Sequence, residues 1–321
     1  MALNASAPLN VLALGDSWEN VHPDVIRITG GFAGYPYWMA FTPYPLGDDR
    51  MENPSIRASR DGLAWEKIPG IPDPLIPAPA ESDVHHADPE LMHFHGRLNL
   101  LYLTIRRKTY ETWFNLTECG EDLSWSEPRS IPIEAGVVSP TFQADGLRIR
   151  EWFIKDHALF SRQGPDFFSL GDDRSCSAEI PGHVPWHVDV LKTEEGYEAL
   201  IAAFPTGSNS SRTRLYHLTS EDGLAFTLGS PAPVIRPSLL GWDNRMIYRS
   251  SFLKEEGGTY RIWYSGSSWG KHFGIGLLEG PLDSLREPRV DHAHLPSFAS
   301  RFWDDMVGRL RYAKSRVRSS G

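Results

Sequence analysis

Apolar residues in this chain come in short runs rather than in helical stripes. Five runs stand out: Tyr37-Trp38-Met39-Ala40-Phe41, Leu98-Asn99-Leu100-Leu101-Tyr102-Leu103, Arg150-Glu151-Trp152-Phe153-Ile154, Tyr197-Glu198-Ala199-Leu200-Ile201-Ala202 and Tyr260-Arg261-Ile262-Trp263-Tyr264. Turn-forming segments precede them, such as His95-Gly96-Arg97, Ala144-Asp145-Gly146 and Glu256-Gly257-Gly258-Thr259. Short aromatic and aliphatic runs bounded by glycine-containing turns predict strands and hairpins. Before residue 295 no segment carries a convincing helical period.

Two further markers recur between the runs. The first is an Asp-Gly turn followed by an aromatic residue, clearest in Ser59-Arg60-Asp61-Gly62-Leu63-Ala64-Trp65 and Ser220-Glu221-Asp222-Gly223-Leu224-Ala225-Phe226. Its copies, marked at residues 61, 122, 164, 222 and 280, are spaced by 61, 42, 58 and 58 residues. The second is a polar cluster opening an apolar strand: His22-Pro23-Asp24-Val25, His86-Ala87-Asp88-Pro89-Glu90-Leu91, Val138-Ser139-Pro140-Thr141-Phe142, Pro185-Trp186-His187-Val188-Asp189-Val190 and Asn244-Arg245-Met246-Ile247-Tyr248-Arg249. Marked at 24, 88, 139, 189 and 249, these are spaced by 64, 51, 50 and 60 residues. Alternating markers at similar periods predict an all-β, five-bladed β-propeller over residues 1–294. Its blades fall near 20–80, 84–134, 136–181, 184–236 and 242–291. Residues 295–321 change character, with Phe298, Phe302, Met306 and Leu310 at loose helical spacing, and predict a short C-terminal helix and tail that docks on the propeller or mediates a homo-oligomer.

Composition narrows the function. A net charge of −9 argues against a nucleic-acid partner, which selects a basic face. The 11 Trp and 11 Tyr fit either a core or surfaces on which sugar rings stack. Cys119 and Cys176 form no metal or redox motif and read as free thiols. The start of the chain shows no basic, apolar leader and no run long enough to span a bilayer, so the expectation is a cytoplasmic or phage-associated protein without a membrane partner.

Propeller inner strands aim side chains at one central channel. Asp24, Asp88, Glu90, His187, Asp189, Arg245 and Arg249 are therefore expected to converge. Carboxylates held together in a cavity suit glycoside hydrolysis, with one ionised and one kept protonated by burial and like charge. Asp24, Asp189 and Asp88 are the candidate catalytic residues; Glu90, His86, Trp186, His187, Arg245, Arg249, Trp38 and Tyr35 are candidates for holding a glycan. Of the neighbouring histidines, His93 and His95 are expected to be solvated beside a turn. No cofactor and no catalytic metal is expected, although His86 or His187 leaves room for a structural calcium or other ion at the axis.

The five strand openings, with Asp in the first, resemble the five-bladed propellers of glycoside hydrolase family 43 and its relatives, families 32, 62 and 68. Residues 20–270 also resemble poorly characterised bacterial and phage propellers, through Tyr37-Trp38-Met39-Ala40-Phe41, Glu52-Asn53-Pro54-Ser55-Ile56, Pro185-Trp186-His187-Val188-Asp189 and Asp243-Asn244-Arg245. The family-43 resemblance implies that Asp24 is the base of an inverting glycosidase acting on furanosyl-type or cell-surface glycans. It departs from the family pattern in the third blade, where Ser139 replaces an expected Asp, and in the fourth, where Asp189 and His187 replace an expected Glu. A non-catalytic glycan-recognition propeller is the alternative. A glycoside phosphorylase or glycosyl transferase is the third reading, with Arg245, Arg249 and Lys271 as the only phosphate candidates.

Overall fold

The computed structural model describes residues 7–13, 17–239, 241–269 and 272–287. They form five antiparallel sheets. The first contains β1 (Asn20–Phe32), β2 (Tyr35–Pro43) and β3 (Ser55–Ser59); the second β4 (Val84–Phe94), β5 (Arg97–Arg106), β6 (Thr112–Cys119) and β7 (Arg129–Ile133). The third contains β8 (Val138–Asp145), β9 (Arg148–Lys155), β10 (Ala158–Gly164) and β11 (Arg174–Ser175). The fourth contains β12 (His183–Thr193), β13 (Gly196–Pro205), β14 (Arg214–Ser220) and β15 (Thr227–Leu228), and the fifth β16 (Met246–Lys254), β17 (Tyr260–Ser267) and β18 (Phe273–Gly280). Strands follow one another in sheet order, so each blade is a meander. The only α-helix among the described residues is the single turn α1 (Leu282–Leu285). The helix expected within 295–321, and any oligomer contact through it, lies outside the described residues.

The inner strands β1, β4, β8, β12 and β16 contact one another in a closed ring, β16 returning to β1. The predicted five-bladed propeller is thus the fold. The beginning of the chain helps to close it: Leu9 N donates to Ile275 O of β18 (2.7 Å), and Val11 and Ala13 are buried with Trp263, Ile275 and Val25 between the fifth and first blades.

The two clearest Asp-Gly turns are seam devices. Asp61 Oδ1 accepts the Leu63 and Ala64 amides, and the Gly62 carbonyl accepts Trp263 Nε1 (3.0 Å) while the Asp61 carbonyl accepts Arg261 Nη2 (2.7 Å). The fourth blade repeats this on the third: Asp222 O and Gly223 O accept Arg150, and Gly223 O also accepts Trp152 Nε1 (2.7 Å). Gly62 and Gly223 have φ of +73° and +69°, and a Cβ on either would lie 3.0 Å or less from the Arg and Trp it receives. Conformation and space therefore both require glycine there.

Candidate functional site

Each inner strand carries one extra residue at the same height. The register with the second strand slips between Val21 and Asp24, Ala87 and Glu90, Val138 and Thr141, Pro185 and His187, and Ile247 and Ser250. These are β-bulges, which re-aim side chains and recur beside active sites. Three hold a non-glycine residue in the left-handed region immediately before proline: His22 (φ 53°), Asp88 (φ 47°) and Ser139 (φ 54°). Such strain persists only where surrounding structure imposes it, and it concentrates at functional sites. The bulges divide the channel into two levels. His22, Asp88, Ser139, His187 and Tyr248 occupy the upper level, where the inner strands begin. Asp24, Glu90, Thr141, Asp189 and Ser251 occupy the lower.

The lower level is a belt of hydrogen bonds between successive blades. Asp24 Oδ2 accepts Leu91 N (2.6 Å), Glu90 Oε1 accepts Phe142 N (3.1 Å), and Thr141 Oγ1 donates to Asp189 Oδ1 (3.1 Å). Asp189 Oδ2 accepts Phe252 N (3.0 Å), and Ser251 Oγ accepts Val25 N (3.0 Å), which closes the circle. Asp24, Glu90 and Asp189 each bring an oxygen within 4.8 Å of the others. Burial raises the pKa of all three, Glu90 well above the usual carboxylate range and Asp189 to about 7, and the Asp24 charge adds to the rise on the other two. Arg249, wholly buried, places Nη2 2.7 Å from Glu90 Oε2 and is the cation for the group. Asp24, Glu90 and Asp189 line a cavity of about 410 Å³ that opens beneath them between the lower halves of the inner strands.

The upper level has the opposite character. Asp88 Oδ2 accepts Ser139 N (2.7 Å). Its Oδ1 faces Arg249 Nη1 (3.4 Å), His22 Nε2 (3.6 Å) and His187 Nδ1 (3.8 Å). His22 Nε2 and both nitrogens of His187 are buried and find no hydrogen-bond partner among the described residues. Burial, the largest influence on each ring, pushes the imidazole pKa down to about 3 for His22 and about 4 for His187, so both are neutral at neutral pH. Burial opposes ionisation of Asp88, yet its positive neighbours and the Ser139 amide hold its pKa down to about 2. With the imidazoles uncharged at neutral pH, Arg249 and the Ser139 N–H keep Asp88 ionised there. The Tyr248 ring bridges His22 and His187 at 5.0 and 4.7 Å, and Trp186 stands 4.8 Å from Tyr248 and 4.7 Å from His187.

Glu52 reaches this level from the segment before β3, its Oε2 4.0 Å from His22 Nδ1. It is buried, and burial followed by the Asp88 and Asp49 charges lifts its carboxyl well above the usual range. His85, half-buried, leaves Nδ1 unpartnered and interacts electrostatically with Asp88. The upper level thus joins one ionised carboxylate, one carboxyl that readily holds a proton, and neutral imidazoles with open lone pairs. At this level His22 Nε2 and His187 Nδ1 flank Asp88 Oδ1 at 3.6 and 3.8 Å, so a divalent cation here would be held by Asp88 with the imidazoles, whereas the group whose ligand atoms all lie within 4.8 Å of one another is the lower trio. In the lower trio one oxygen each of Asp24, Glu90 and Asp189 accepts a backbone amide, and Glu90 Oε2 is paired with Arg249.

The sequence candidates separate accordingly. Asp88, His187, Trp186 and Arg249 come together at the upper level, whereas Asp24, Asp189 and Glu90 form the belt. The belt oxygens, within 4.8 Å of one another, are closer than the roughly 6.5–9.5 Å of an inverting carboxylate pair. His86 points away from the site: Nδ1 pairs with Thr104 Oγ1 (2.9 Å) and Nε2 with Pro77 O (3.2 Å). Trp38 offers no stacking face, being fully buried in the first-blade core with Nε1 bonded to Phe32 O. Tyr35 packs beside it under Arg60 and bonds to Glu66. Arg245 joins the strand mouth through its backbone, N to Ser267 O at 2.9 Å. His93 and His95 are exposed at the β4–β5 turn, as expected. Glu52, His22, His85 and Tyr248 were absent from the candidate set.

The fold and this axial site define the class: a five-bladed propeller whose structural neighbours include glycoside hydrolase family 43. A family-43 protein from Bacillus licheniformis superimposes with a TM-score of 0.58 at 14% identity, covering 80% of this chain and 52% of that one. Within that class, the chain is 26% identical over 309 residues to the A type blood N-acetyl-α-D-galactosamine deacetylase of Flavonifractor plautii, an alignment covering 76% of this chain and 39% of that protein. The chain therefore matches about two fifths of that relative's length. The crystal structure of an N-acetylgalactosamine deacetylase from F. plautii, in complex with blood group B trisaccharide, superimposes with a TM-score of 0.78 at 21% identity over 88% of this chain and 96% of that one. Where the sequence resemblance pointed to poorly characterised bacterial and phage propellers, the similarity found runs to a named deacetylase. No protein-family model matches the chain.

Proposed function

We propose that this chain is a glycan-acting hydrolase that removes the acyl group from an N-acylated amino sugar, with the upper level of the channel as its active site. The observation that carries the reading is the set of buried, unpartnered imidazole nitrogens of His22 and His187 around ionised Asp88, with Glu52 beside them. Amide hydrolysis needs a water aimed at a carbonyl carbon, a group that takes its proton, and positive or hydrogen-bonding groups for the oxyanion. Glu52 is placed to take the proton from that water and pass it to the departing amine. Tyr248 and Trp186 form the wall against which the sugar lies. A divalent cation held by Asp88 and the imidazoles would polarise the carbonyl and acidify the water. The similarity to a deacetylase supports the same reading, and the substrate in that protein's name suggests an N-acetylgalactosamine-terminated glycan as first probe.

Asp88 and Glu52 also favour a second reading. One ionised and one proton-holding carboxyl are the parts of a glycosidase, including the furanosyl-type activity expected from sequence. One experiment separates the two. The chain is incubated with an N-acetylgalactosamine-terminated oligosaccharide and a panel of furanosides, with and without chelator, and products are read by mass spectrometry. Loss of an acetyl group with the glycan intact, suppressed by chelator and restored by a divalent metal, is the expected result. Release of a sugar transfers the site to glycosidic cleavage. Binding without any product makes it a recognition module and overturns the hydrolase reading.

A further inference from the structure

A second cavity opens at the upper mouth, beside the wall of the site rather than on the axis. It has a volume of about 480 Å³, within the range of roughly 300–1,000 Å³ typical of small-molecule sites. It lies between the third and fourth blades, bordered by the β9–β10 turn and by residues 176–183, which lead into β12. Both borders stand at the upper end, because β9 climbs back to Lys155 against descending β8 and β12 starts at His183. The cavity adjoins the site wall. Pro185, which lines it, precedes Trp186 in the chain, and the Phe204 ring lies 6.3 Å from Trp186 and 5.8 Å from His157.

The floor is apolar, with Leu159 and Ile180 both buried, whereas His157 and Glu179 on the rim are exposed and open to a ligand. His157 Nδ1 lies 3.2 Å from Pro185 O. A carbonyl only accepts, so Nδ1 carries the proton and the neutral ring keeps Nε2 as an acceptor. His183 is a fixed wall: Nδ1 donates to Pro181 O (2.9 Å), and Nε2 accepts from Tyr216 OH (2.8 Å). Asp156 and His157 make the tight β9–β10 turn with φ of 50° and 61°. Such turns favour Asn-Gly, so an imidazole there is held under backbone strain, which points to a role for the side chain.

We infer that this cavity is a second sugar subsite. The reacting sugar lies against Tyr248 and Trp186, and the sugar linked to it passes over Pro185 into the cavity. Its apolar face rests on Leu159 and Ile180, while His157 Nε2 and the Glu179 carboxylate accept its hydroxyls. An apolar floor with acceptors on the rim suits a neutral ligand rich in O–H donors. The identity of the reacting sugar rests on the glycan-hydrolase reading; the subsite itself does not.

The test compares wild type, His157→Gly, His157→Asn and Glu179→Ala on two ligands sharing the same N-acetylated terminal sugar, one a simple monosaccharide glycoside and one a trisaccharide. Both residues are exposed and glycine takes a positive φ without strain, so the variants keep the fold, which melting curves check. The subsite predicts that His157→Gly and Glu179→Ala each raise KM for the trisaccharide about three- to tenfold. The values of kcat and the monosaccharide constants stay unchanged. His157→Asn, which tolerates the turn and keeps an acceptor, recovers part of the loss. An unchanged KM for the trisaccharide in both His157→Gly and Glu179→Ala, or an equal rise for both ligands, overturns the subsite. Calorimetric binding of both ligands is measured alongside turnover. If no acetyl group is released but the two variants still weaken trisaccharide binding about three- to tenfold, the deacetylase reading fails and the subsite stands. If wild type binds the monosaccharide as tightly as the trisaccharide, or binds neither, the subsite is refuted.

Discussion

The two levels of the channel are built from the same residue types a few ångströms apart, yet they differ in what is left unbonded. At the lower level, Asp24, Glu90 and Asp189 each accept from a backbone amide or hydroxyl of the next blade. At the upper level, His22 and His187 are as deeply buried but leave ring nitrogens without partners among the described residues. A satisfied buried polar group holds a fold together, whereas an unsatisfied one calls for a partner such as a water, an ion or a ligand. Clustered carboxylates with raised pKa are therefore poor guides to chemistry here, because the belt has both and is engaged in joining blades.

That contrast can be broken in graded ways. The largest effect is expected from Asp88→Asn, which keeps an acceptor for the Ser139 amide but removes the charge facing His22 and His187. Activity should fall about a thousandfold or more while the melting temperature moves by only a few degrees. Glu52→Gln, which cannot exchange a proton, should lower kcat by about 10² to 10⁴ with little change in KM, as steady-state kinetics would show. Asp24→Ala should give the reverse profile. It strands the Leu91 N–H, so urea unfolding should show a loss of about 1–3 kcal/mol while folded protein keeps its turnover.

The smallest effect concerns pH and a seam remote from the channel. Glu198 accepts His217 Nε2 (2.6 Å), Lys254 Nζ (2.6 Å) and Tyr260 OH (2.7 Å) between the fourth and fifth blades. Burial works against its ionisation, but these three partners outweigh it and lower the pKa from 4.5 to about 2. A depressed carboxylate stabilises the folded state fully above 4.5, and that contribution disappears as pH falls towards 2. Glu198→Gln should therefore cost about 1–2 kcal/mol at neutral pH, and the gap from wild type should close on acidification.

Much of this was legible in the sequence, and the boundary has a physical cause. Each of the five polar clusters noted from sequence contains an inner-strand bulge, because a strained X-Pro step and a charged residue at a strand opening leave a readable mark. Which member of each cluster faces the reacting space was not legible. One inserted residue inverts the alternation that follows it, so the reading favoured Asp24 over His22. The same parity set His86 ahead of His85, although His86 has both ring nitrogens satisfied. Glu52 stood out in the sequence only within the Glu52-Asn53-Pro54-Ser55-Ile56 segment of a resemblance, with nothing local to mark it as a site residue, since it enters from the segment before β3 and is buried beside His22. Trp38 looked like a sugar platform by residue type, but its apolar run is the first-blade core.

The most direct test is acetyl release from an N-acetylgalactosamine-terminated glycan by His187→Ala and Asp189→Asn, side by side at a temperature where both are folded. If the upper level carries the chemistry, His187→Ala loses about a hundredfold or more without a matching loss of stability, and Asp189→Asn stays within about threefold of wild type. If Asp189→Asn is the inactive variant and His187→Ala the active one, the belt is the catalytic centre and the assignment made here is wrong.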